Sequence, residues 1–193
     1  METQFNVLLS IALGVALAAA VGFRVFVPLL VVSVAGYTGY MEVDGQFAWL
    51  ATWPALLMLG VAAVVEVLAY YIPGVDNLLD TLATPAALVA GTIVSAAVIT
   101  DLPPLIKWTT AVVAGGGIAG LTQGATALLR AKSTAATGGL GNPVVSTAEL
   151  GGSLFVSLLA LFVPLIALGL VLAFCWIVVR MIRRLLRPRS EQH

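Results

Sequence analysis

A single arginine, Arg24, lies in the middle of a long apolar run that extends from residue 7 to residue 36. Placing an arginine at the centre of a bilayer costs roughly 2.5–3.5 kcal/mol on insertion scales, so this side chain needs compensation. One interpretation is functional: a guanidinium binds anionic groups such as a solute or the phosphate of a lipid, and the backbone freed near Gly22 and Pro28 can help. The other is structural: Arg24 pairs with Glu66 or reaches water.

Four carboxylates accompany this arginine. Glu66 lies inside the second apolar run, where a carboxylate can exchange protons, coordinate a cation or neutralise Arg24. Asp76 and Asp80 are four residues apart and share one face of a helix. They indicate either a cation or proton entry site at a pore mouth, or an N-cap at Asp76 followed by a solvated carboxylate at Asp80. Glu149 ends a Ser-x-x-Glu pattern, which predicts a capping box that opens the last helix.

A short polar group interrupts the fourth apolar run. These side chains either line a pathway or hydrogen-bond within a helix bundle. The complete set of candidate substrate-binding or ion-binding residues is Arg24, Glu66, Asp76, Asp80, Thr122, Gln123 and Thr126. A Mg²⁺ site formed by Asp76, Asp80 and Glu66 would suit an enzyme of phosphate chemistry, but the chain has no phosphate-cradling motif. We therefore predict no enzyme, no cofactor and no metal.

Composition restricts the class of protein. Of 193 residues, 61% are hydrophobic and 9% are charged, whereas a soluble domain has roughly a quarter charged residues. The net charge of zero leaves no basic field to hold nucleic acid. Cys175 is the only cysteine and His193 the only histidine, which argues against a disulfide framework, a zinc site and a Ser-His pair. The expected partners are the lipid bilayer and a small ion, an anionic solute or a lipid head group.

Five hydrophobic segments predict an all-α, polytopic transmembrane bundle. They cover residues 7–36, 49–72, 85–100, 105–129 and 148–182. We treat residues 1–193 as a single transmembrane domain with a first half at 7–100 and a second half at 105–182. The first and last segments are longer than the roughly 20 residues that one crossing needs. Pro28 and Pro164 predict that both are interrupted by a kink or a re-entrant turn.

Proline and glycine also mark the ends of the segments. Helix starts are predicted at Trp53-Pro54 and at Thr84-Pro85. The third segment has an alternative, in which its helix begins at Asp76 and kinks at Pro85. A Gly-, Ser- and Thr-containing loop is predicted from Ala131 to Pro143.

Spacing of small residues and prolines suggests two related halves. Ladders of small residues recur in the first and fourth segments, at Gly14, Ala18 and Gly22 and at Gly116, Gly120 and Gly124. A glycine precedes a proline by 13 positions in the second and fifth segments, at Gly60 and Pro73 and at Gly151 and Pro164. This pattern is typical of the inverted repeats of small transporters. Close helix packing in membranes produces glycine ladders as well, and that alternative stays open.

Arginines cluster at the end of the last segment and in the tail at 183–193, which favours a cytoplasmic C-terminus. We expect a multi-pass protein of the bacterial inner membrane. With five crossings the N-terminus lies outside, and so do Arg130 and Lys132. If segment 148–182 crosses twice or is re-entrant, these two residues lie inside instead.

Two motifs carry a resemblance. Residues 22–28, Gly-Phe-Arg-Val-Phe-Val-Pro, are followed by Glu66 and then by Pro-Gly-Val-Asp-Asn-Leu-Leu-Asp at residues 73–80. With these motifs the chain resembles an uncharacterised bacterial multi-pass membrane family, a domain of unknown function, from about residue 8 to 180. The resemblance implies an integral membrane protein of bacteria and supplies no substrate.

Two functions follow from these residues. The first is a small transporter or channel, in a homo-oligomer, for an anionic solute or a lipid phosphate group. In that protein the first and fourth segments meet at Arg24, and Glu66 couples the site to protons. The alternative is a non-transporting scaffold or assembly protein, in which Arg24 and Glu66 are a structural ion pair.

Overall fold

The computed structural model describes residues 2–72, 74–100 and 102–186. Every regular element in these ranges is helical. The elements are α1 (Glu2–Val21), α2 (Phe26–Tyr37), a 3-10 helix (Gly45–Ala51), α3 (Trp53–Ala69), α4 (Val75–Val98), α5 (Pro104–Thr110), a π-helical turn (Ala111–Gly116), α6 (Gly117–Thr137), α7 (Asn142–Phe162) and α8 (Pro164–Leu186). Pro73 of the second motif, Asp101 and tail residues 187–193, which include Arg187, Arg189 and His193, lie outside the described residues.

Five helical stretches are long and apolar enough to cross a membrane. They are Gln4–Val21, Leu78–Val98, Pro104–Thr137, Asn142–Phe162 and Pro164–Met181. A sixth is possible if Gly45–Ala51 and Trp53–Ala69, which are bent by 67°, form one span. The predicted all-helical, polytopic fold and the number five are confirmed, although the five stretches are not the five predicted segments.

The first predicted segment is interrupted, as expected, and it folds back on itself. Gly14 of α1 lies against Ser95, near the C-terminal end of α4. After the break at 22–25, α2 returns the chain to the same level, because the N–H of Asp44 donates to the carbonyl of Ala97 over 2.8 Å. Helices α1 and α2 therefore form a hairpin whose tip is the break at 22–25.

The last predicted segment is two helices rather than one. Val163, with φ −142° and ψ 70°, separates α7 from α8, so the interruption expected before Pro164 is confirmed. Phe23 at the hairpin tip contacts both helices: its ring is 4.0 Å from where a Cβ on Gly152 would be, and its centroid is 5.8 Å from that of Phe174. These two contacts lie equally far in sequence from Val163. Helices α7 and α8 therefore run side by side in opposite directions.

This pairing decides where the basic residues lie. Because α7 returns along the bundle, the C-terminal ends of α6 and α8 lie at the same end of the molecule. Arg130 and Lys132 of α6 thus share an end with Arg180 and Arg183 of α8. The alternative in which residues 148–182 cross twice is the one that the structure favours.

Two of the predicted boundaries need correction. Trp53 does begin α3, where the Thr52 side chain caps the helix. Pro85, in contrast, is inside α4, which begins at Val75, so the longer alternative for the third segment is right. Most of the predicted 131–143 loop is helical, because α6 continues to Thr137 and ends at Gly138 with φ 63°.

Glycines bring the hairpin into close contact with α6. A Cβ on Gly22 would lie 2.4 Å from the Cβ of Thr122 and 2.5 Å from the carbonyl oxygen of Ala119. The first segment therefore meets the fourth at this point, as predicted. The inverted repeat stays a prediction, since α1 and α2 fold back whereas residues 104–137 continue as one apolar stretch.

We expect Gly22→Ala to lower the free energy of unfolding by about 1–3 kcal/mol, because the added methyl overlaps atoms of α6 that include its backbone. Thermal unfolding in detergent measures this change. Gly60→Ala is the matched control, since no described atom beyond the adjacent part of its own helix lies within 4 Å of its Cβ position, and an alanine in a helix interior is favoured over glycine. Equal midpoints for the two variants would contradict the close packing of α1 on α6.

An ion pair closes the opposite end of the bundle. Lys107 Nζ of α5 lies 2.7 Å from Asp44 Oδ2, in the connection between α2 and the 3-10 helix. The side chain of Lys107 is buried. Burial raises the pKa of Asp44, but Lys107 and the N–H of Gln46 outweigh that effect and hold the pKa below its usual value of 3.8.

A depressed pKa means that the ionised form of Asp44 stabilises the fold above its unfolded pKa, and that this contribution is lost as the pH falls through the folded pKa. We expect Asp44→Asn to lower the unfolding midpoint at pH 7 by about 2–4 °C. The difference from wild type should begin to shrink near pH 3.8 and should disappear as the pH falls through the folded pKa, which lies below that value. Midpoints recorded in detergent from neutral to acidic pH measure this, and a constant difference across that range would refute the role of the ion pair.

Candidate functional site

The hairpin tip places Arg24 inside a network of charges. Its side chain is 1% exposed. Nη2 donates to the carbonyl of Ser146 over 3.0 Å and lies 3.3 Å from Glu149 Oε2, both on α7. We call Arg24, Tyr70, Asp80, Arg130, Ser146 and Glu149 the Arg24 network. Its residues come from the hairpin tip and from α4, α6 and α7, with Tyr70 directly after α3.

Arg130 of α6 is the second cation of the network. Its Nη1 lies 2.7 Å from Asp80 Oδ1, and its Nη2 donates to Glu149 Oε2. The same Glu149 oxygen therefore contacts both arginines. Because both guanidinium groups are 1% exposed, each depends on these carboxylates for compensation.

Tyr70 stacks with both arginines. Its ring centroid is 3.9 Å from Arg24 Cζ and 4.2 Å from Arg130 Cζ, distances at which a guanidinium is attracted by an aromatic ring. The Tyr70 carbonyl also accepts a hydrogen bond of 3.3 Å from Ser146 Oγ. In the sequence Tyr70 is only one of several aromatics near segment ends, and no local pattern distinguishes it.

Glu66 is on α3, and its carboxylate lies at the start of α2, where it forms no ion pair with Arg24. Its two oxygens accept the N–H groups of Val25 and Phe26 over 2.8 and 3.0 Å. The first N–H groups of a helix have no partner within the helix, and here a carboxylate from α3 supplies one. The expected ion pair between Arg24 and Glu66 is therefore wrong: Glu149 takes that place.

Asp76 and Asp80 do not share one role. Asp76 is 1% exposed; it accepts the N–H of Gly74 over 2.9 Å and the amide of Asn142 over 2.5 Å. It stands in the first turn of α4, whose N-cap is Gly74, so its predicted place as N-cap is wrong. Asp80 was expected to be solvated or at a pore mouth, but its side chain is 14% exposed and pairs with Arg130.

The capping box predicted at Ser146 and Glu149 is also wrong. Helix α7 begins at Asn142, followed by Pro143, so Glu149 lies two turns inside it. A proline in the first turn is itself a helix-start signal, and it could have revealed this boundary. The Glu149 carboxylate contacts two buried arginines instead.

The polar group of α6 packs around the hairpin tip. Thr122, Gln123 and Thr126 are buried. Thr126 Oγ1 donates to the carbonyl of Gln123 over 3.0 Å, within its own helix. The described contacts therefore favour the packing role over a pathway lining.

The three carboxylates considered for Mg²⁺ do not converge, and the described residues include no metal-binding group of three or more His, Cys, Asp or Glu.

Several atoms of the network lack a hydrogen-bond partner among the described residues. They include Nε and Nη1 of Arg24, Nε of Arg130 and Oε1 of Glu149. Buried polar atoms are rarely left unpaired, so they mark a place where a polar ligand or water fits. Two arginines and two carboxylates, those of Asp80 and Glu149, meet in this network. An anion can therefore bind only where a carboxylate moves away or takes up a proton.

Comparison with known proteins identifies a family for this chain but no activity. A family model described as a domain of unknown function (DUF4126) matches residues 11–184. This match confirms the resemblance to an uncharacterised family. No curated protein and no solved structure matches the chain.

Proposed function

The chain belongs to the DUF4126 family of domains of unknown function, and from the geometry of its site we propose that this membrane protein is a small proton-coupled transporter for an anionic group. The substrate is an anionic solute or the phosphate group of a lipid. The site is the start of α2 together with Arg24.

The observation that carries this proposal is the position of the Glu66 carboxylate. The N-terminus of a helix is a natural anion site, because its N–H groups and its dipole favour negative charge. Transporters with broken helices use such termini, inside the bundle, to bind anionic substrates. In this chain the N–H groups of Val25 and Phe26 hold a carboxylate of the protein itself. Glu66 thus occupies the place that a substrate oxyanion would take.

Proton coupling follows from displacing that carboxylate. An ionised carboxylate that leaves its donors inside an apolar bundle is costly. Uptake of one proton makes Glu66 neutral and releases the N–H groups of Val25 and Phe26. One proton and one monovalent anion then enter together, and the total charge of the site is unchanged. Arg24, the charged residue adjacent to α2, stabilises both the bound carboxylate and the incoming anion.

Charge at the ends of the bundle supports an orientation. Positive residues favour the cytoplasmic side of a membrane. Arg130 and Lys132 lie at the same end as Arg180, Arg183 and Arg184 of α8, whereas the opposite end holds Lys107 paired with Asp44. We place the basic end, and with it the C-terminus, in the cytoplasm of a bacterium.

The Arg24 network itself favours a second candidate. Glu149 joins the hairpin tip to α6, and Arg130 joins both to α4. In a scaffold protein this network would only hold helices together. Removing Arg24 would then affect stability and no ligand.

Arg24→Gln tests the transport proposal. We expect it to reduce uptake of methanesulfonate, a small anion of fixed charge, into protein-containing liposomes by about tenfold or more, since one charged contact is worth over 1.4 kcal/mol. Arg180→Gln is the control, because this arginine is exposed on α8. Arg24→Lys keeps the charge and should retain part of the uptake. Wild-type uptake in a folded Arg24→Gln variant would overturn the proposal.

A further inference from the structure

A groove runs beside the proposed anion site. It has a volume of about 300 Å³ and lies between α3, α4 and the start of α2. Val25, Phe26 and Glu66, the three residues that form the contact at the start of α2, all line it. The groove therefore lies directly beside the three residues of this contact.

The remaining walls of the groove are apolar except for Tyr70. Small side chains, such as Ala62 on α3 and Ala83 on α4, leave its interior open. Val65 and Leu82 stand at its rim and are 58% and 59% exposed, on faces of helices that are apolar enough to contact lipid. The groove is thus a path from the hydrocarbon of the bilayer to the start of α2.

We propose that the substrate is an anionic amphiphile with one alkyl chain: its head group replaces Glu66 at the N–H groups of Val25 and Phe26, and its chain lies in the groove between α3 and α4. This inference rests on the proposed function and specifies its substrate class. A soluble anion gains nothing from an apolar wall. An amphiphile is already concentrated in the bilayer and enters the groove sideways.

The donors favour a head group with three oxygens, such as a phosphate monoester. A carboxylate has two oxygens, and Glu66 uses both on Val25 and Phe26. The neighbouring Arg24 holds two buried nitrogens, Nε and Nη1, that have no partner among the described residues. A tetrahedral oxyanion has an additional oxygen for a guanidinium, which binds phosphate-like groups well.

Two sulfonates distinguish the contribution of the head group to binding from that of the alkyl chain. Methanesulfonate and octanesulfonate have the same tetrahedral head, and their charge does not change near neutral pH. Binding of each is measured by calorimetry on protein in lipid nanodiscs, with protein-free nanodiscs to correct for partition into lipid. We expect wild type to bind octanesulfonate at least about tenfold more tightly than methanesulfonate, since each methylene that moves from water into the groove contributes several-fold.

Ala62→Phe fills the groove and should weaken octanesulfonate binding about tenfold while methanesulfonate binding is unchanged. Val61→Phe adds the same ring to the neighbouring position, which is 65% exposed and outside the groove, and should behave like wild type. Ala86→Phe blocks the groove from α4 and replaces Ala62→Phe if that variant does not fold.

Three other results have distinct meanings. Suppose that both sulfonates bind with equal affinity and that filling the groove weakens the binding of neither. The inference that the substrate is an amphiphile is then wrong, but the proposed anion site stands as long as Arg24→Gln abolishes methanesulfonate binding. If Ala62→Phe and Val61→Phe weaken octanesulfonate equally, the chain does not lie in the groove and the inference fails. If wild type binds neither probe, the inference and the proposed function both fail.

Discussion

Glu149→Gln is expected to lower the free energy of unfolding by about 3–5 kcal/mol, which is the usual cost of removing one partner from a buried ion pair. Oxygen Oε2 of Glu149 contacts Arg24 and Arg130, and both guanidinium groups are almost completely buried. A neutral amide leaves them with only Asp80 as a paired carboxylate in the network. Unfolding in mixtures of dodecyl sulfate and a mild detergent measures the difference.

A double-mutant cycle shows whether the loss comes from this network. Adding Arg130→Gln to Glu149→Gln removes one of the two uncompensated cations, so the double variant should be more stable than the sum of the two single changes predicts. Glu42→Gln is the control, because Glu42 is exposed and has no part in the network. If Glu149→Gln costs no more than Glu42→Gln, or if the two network changes are additive, Glu149 does not compensate the arginines.

Glu66→Gln is expected to have the largest effect on ligand binding. In wild type near neutral pH, an anion must displace an ionised carboxylate and a proton must be taken up. Glutamine is already neutral, and its amide nitrogen is a poor partner for the N–H groups of Val25 and Phe26. At pH 7.5 the variant should therefore bind methanesulfonate about tenfold or more tightly than wild type does.

Calorimetry on purified protein in detergent gives this comparison directly. Glu66→Asp keeps the charge on a shorter side chain and should not produce the gain, and Glu42→Gln controls for the loss of a negative charge elsewhere. Weaker binding by Glu66→Gln would show that the carboxylate assists the anion. That result would favour the scaffold alternative, in which Glu66 only holds the start of α2.

Much of the fold was predictable, because the length of an apolar segment and the position of a proline affect helix structure locally. Pro28 and Pro164 correctly indicated two interrupted segments. Hydropathy could not show whether an interruption is a kink or a reversal, since that depends on which helix each half packs against. The reversal at 22–25 is decided by contacts of Gly22 and Phe23 with residues that are about 100 or more positions away.

Several residues of the site were predicted, but the contacts between them were not. Arg24 and Glu66 were recognised because an ionisable residue in an apolar run is costly, and Asp80 was recognised from its spacing of four residues from Asp76. Glu149 was assigned to a cap, because the same four-residue pattern occurs at true helix starts. Tyr70 was missed altogether. Which residues of different helices contact one another depends on how the helices pack, and a single sequence does not show this packing.

The two candidate functions share the Arg24 network and differ in Glu66. A scaffold needs the start of α2 to stay closed. A transporter needs the Glu66 carboxylate to leave Val25 and Phe26 and to be replaced by another anion. The groove lined by the same three residues gives a transporter a path to this contact, and a scaffold does not require such a path.

The pH dependence of anion binding tests the exchange at Glu66 most directly. Methanesulfonate keeps one negative charge between pH 6 and pH 8, so any change in its affinity over this range comes from the protein. If binding takes up one proton, the association constant of wild type falls about tenfold for each unit of rising pH while Glu66 is ionised, and that of Glu66→Gln stays constant. Equal slopes in wild type and Glu66→Gln would contradict the account, as would binding to wild type that does not change with pH.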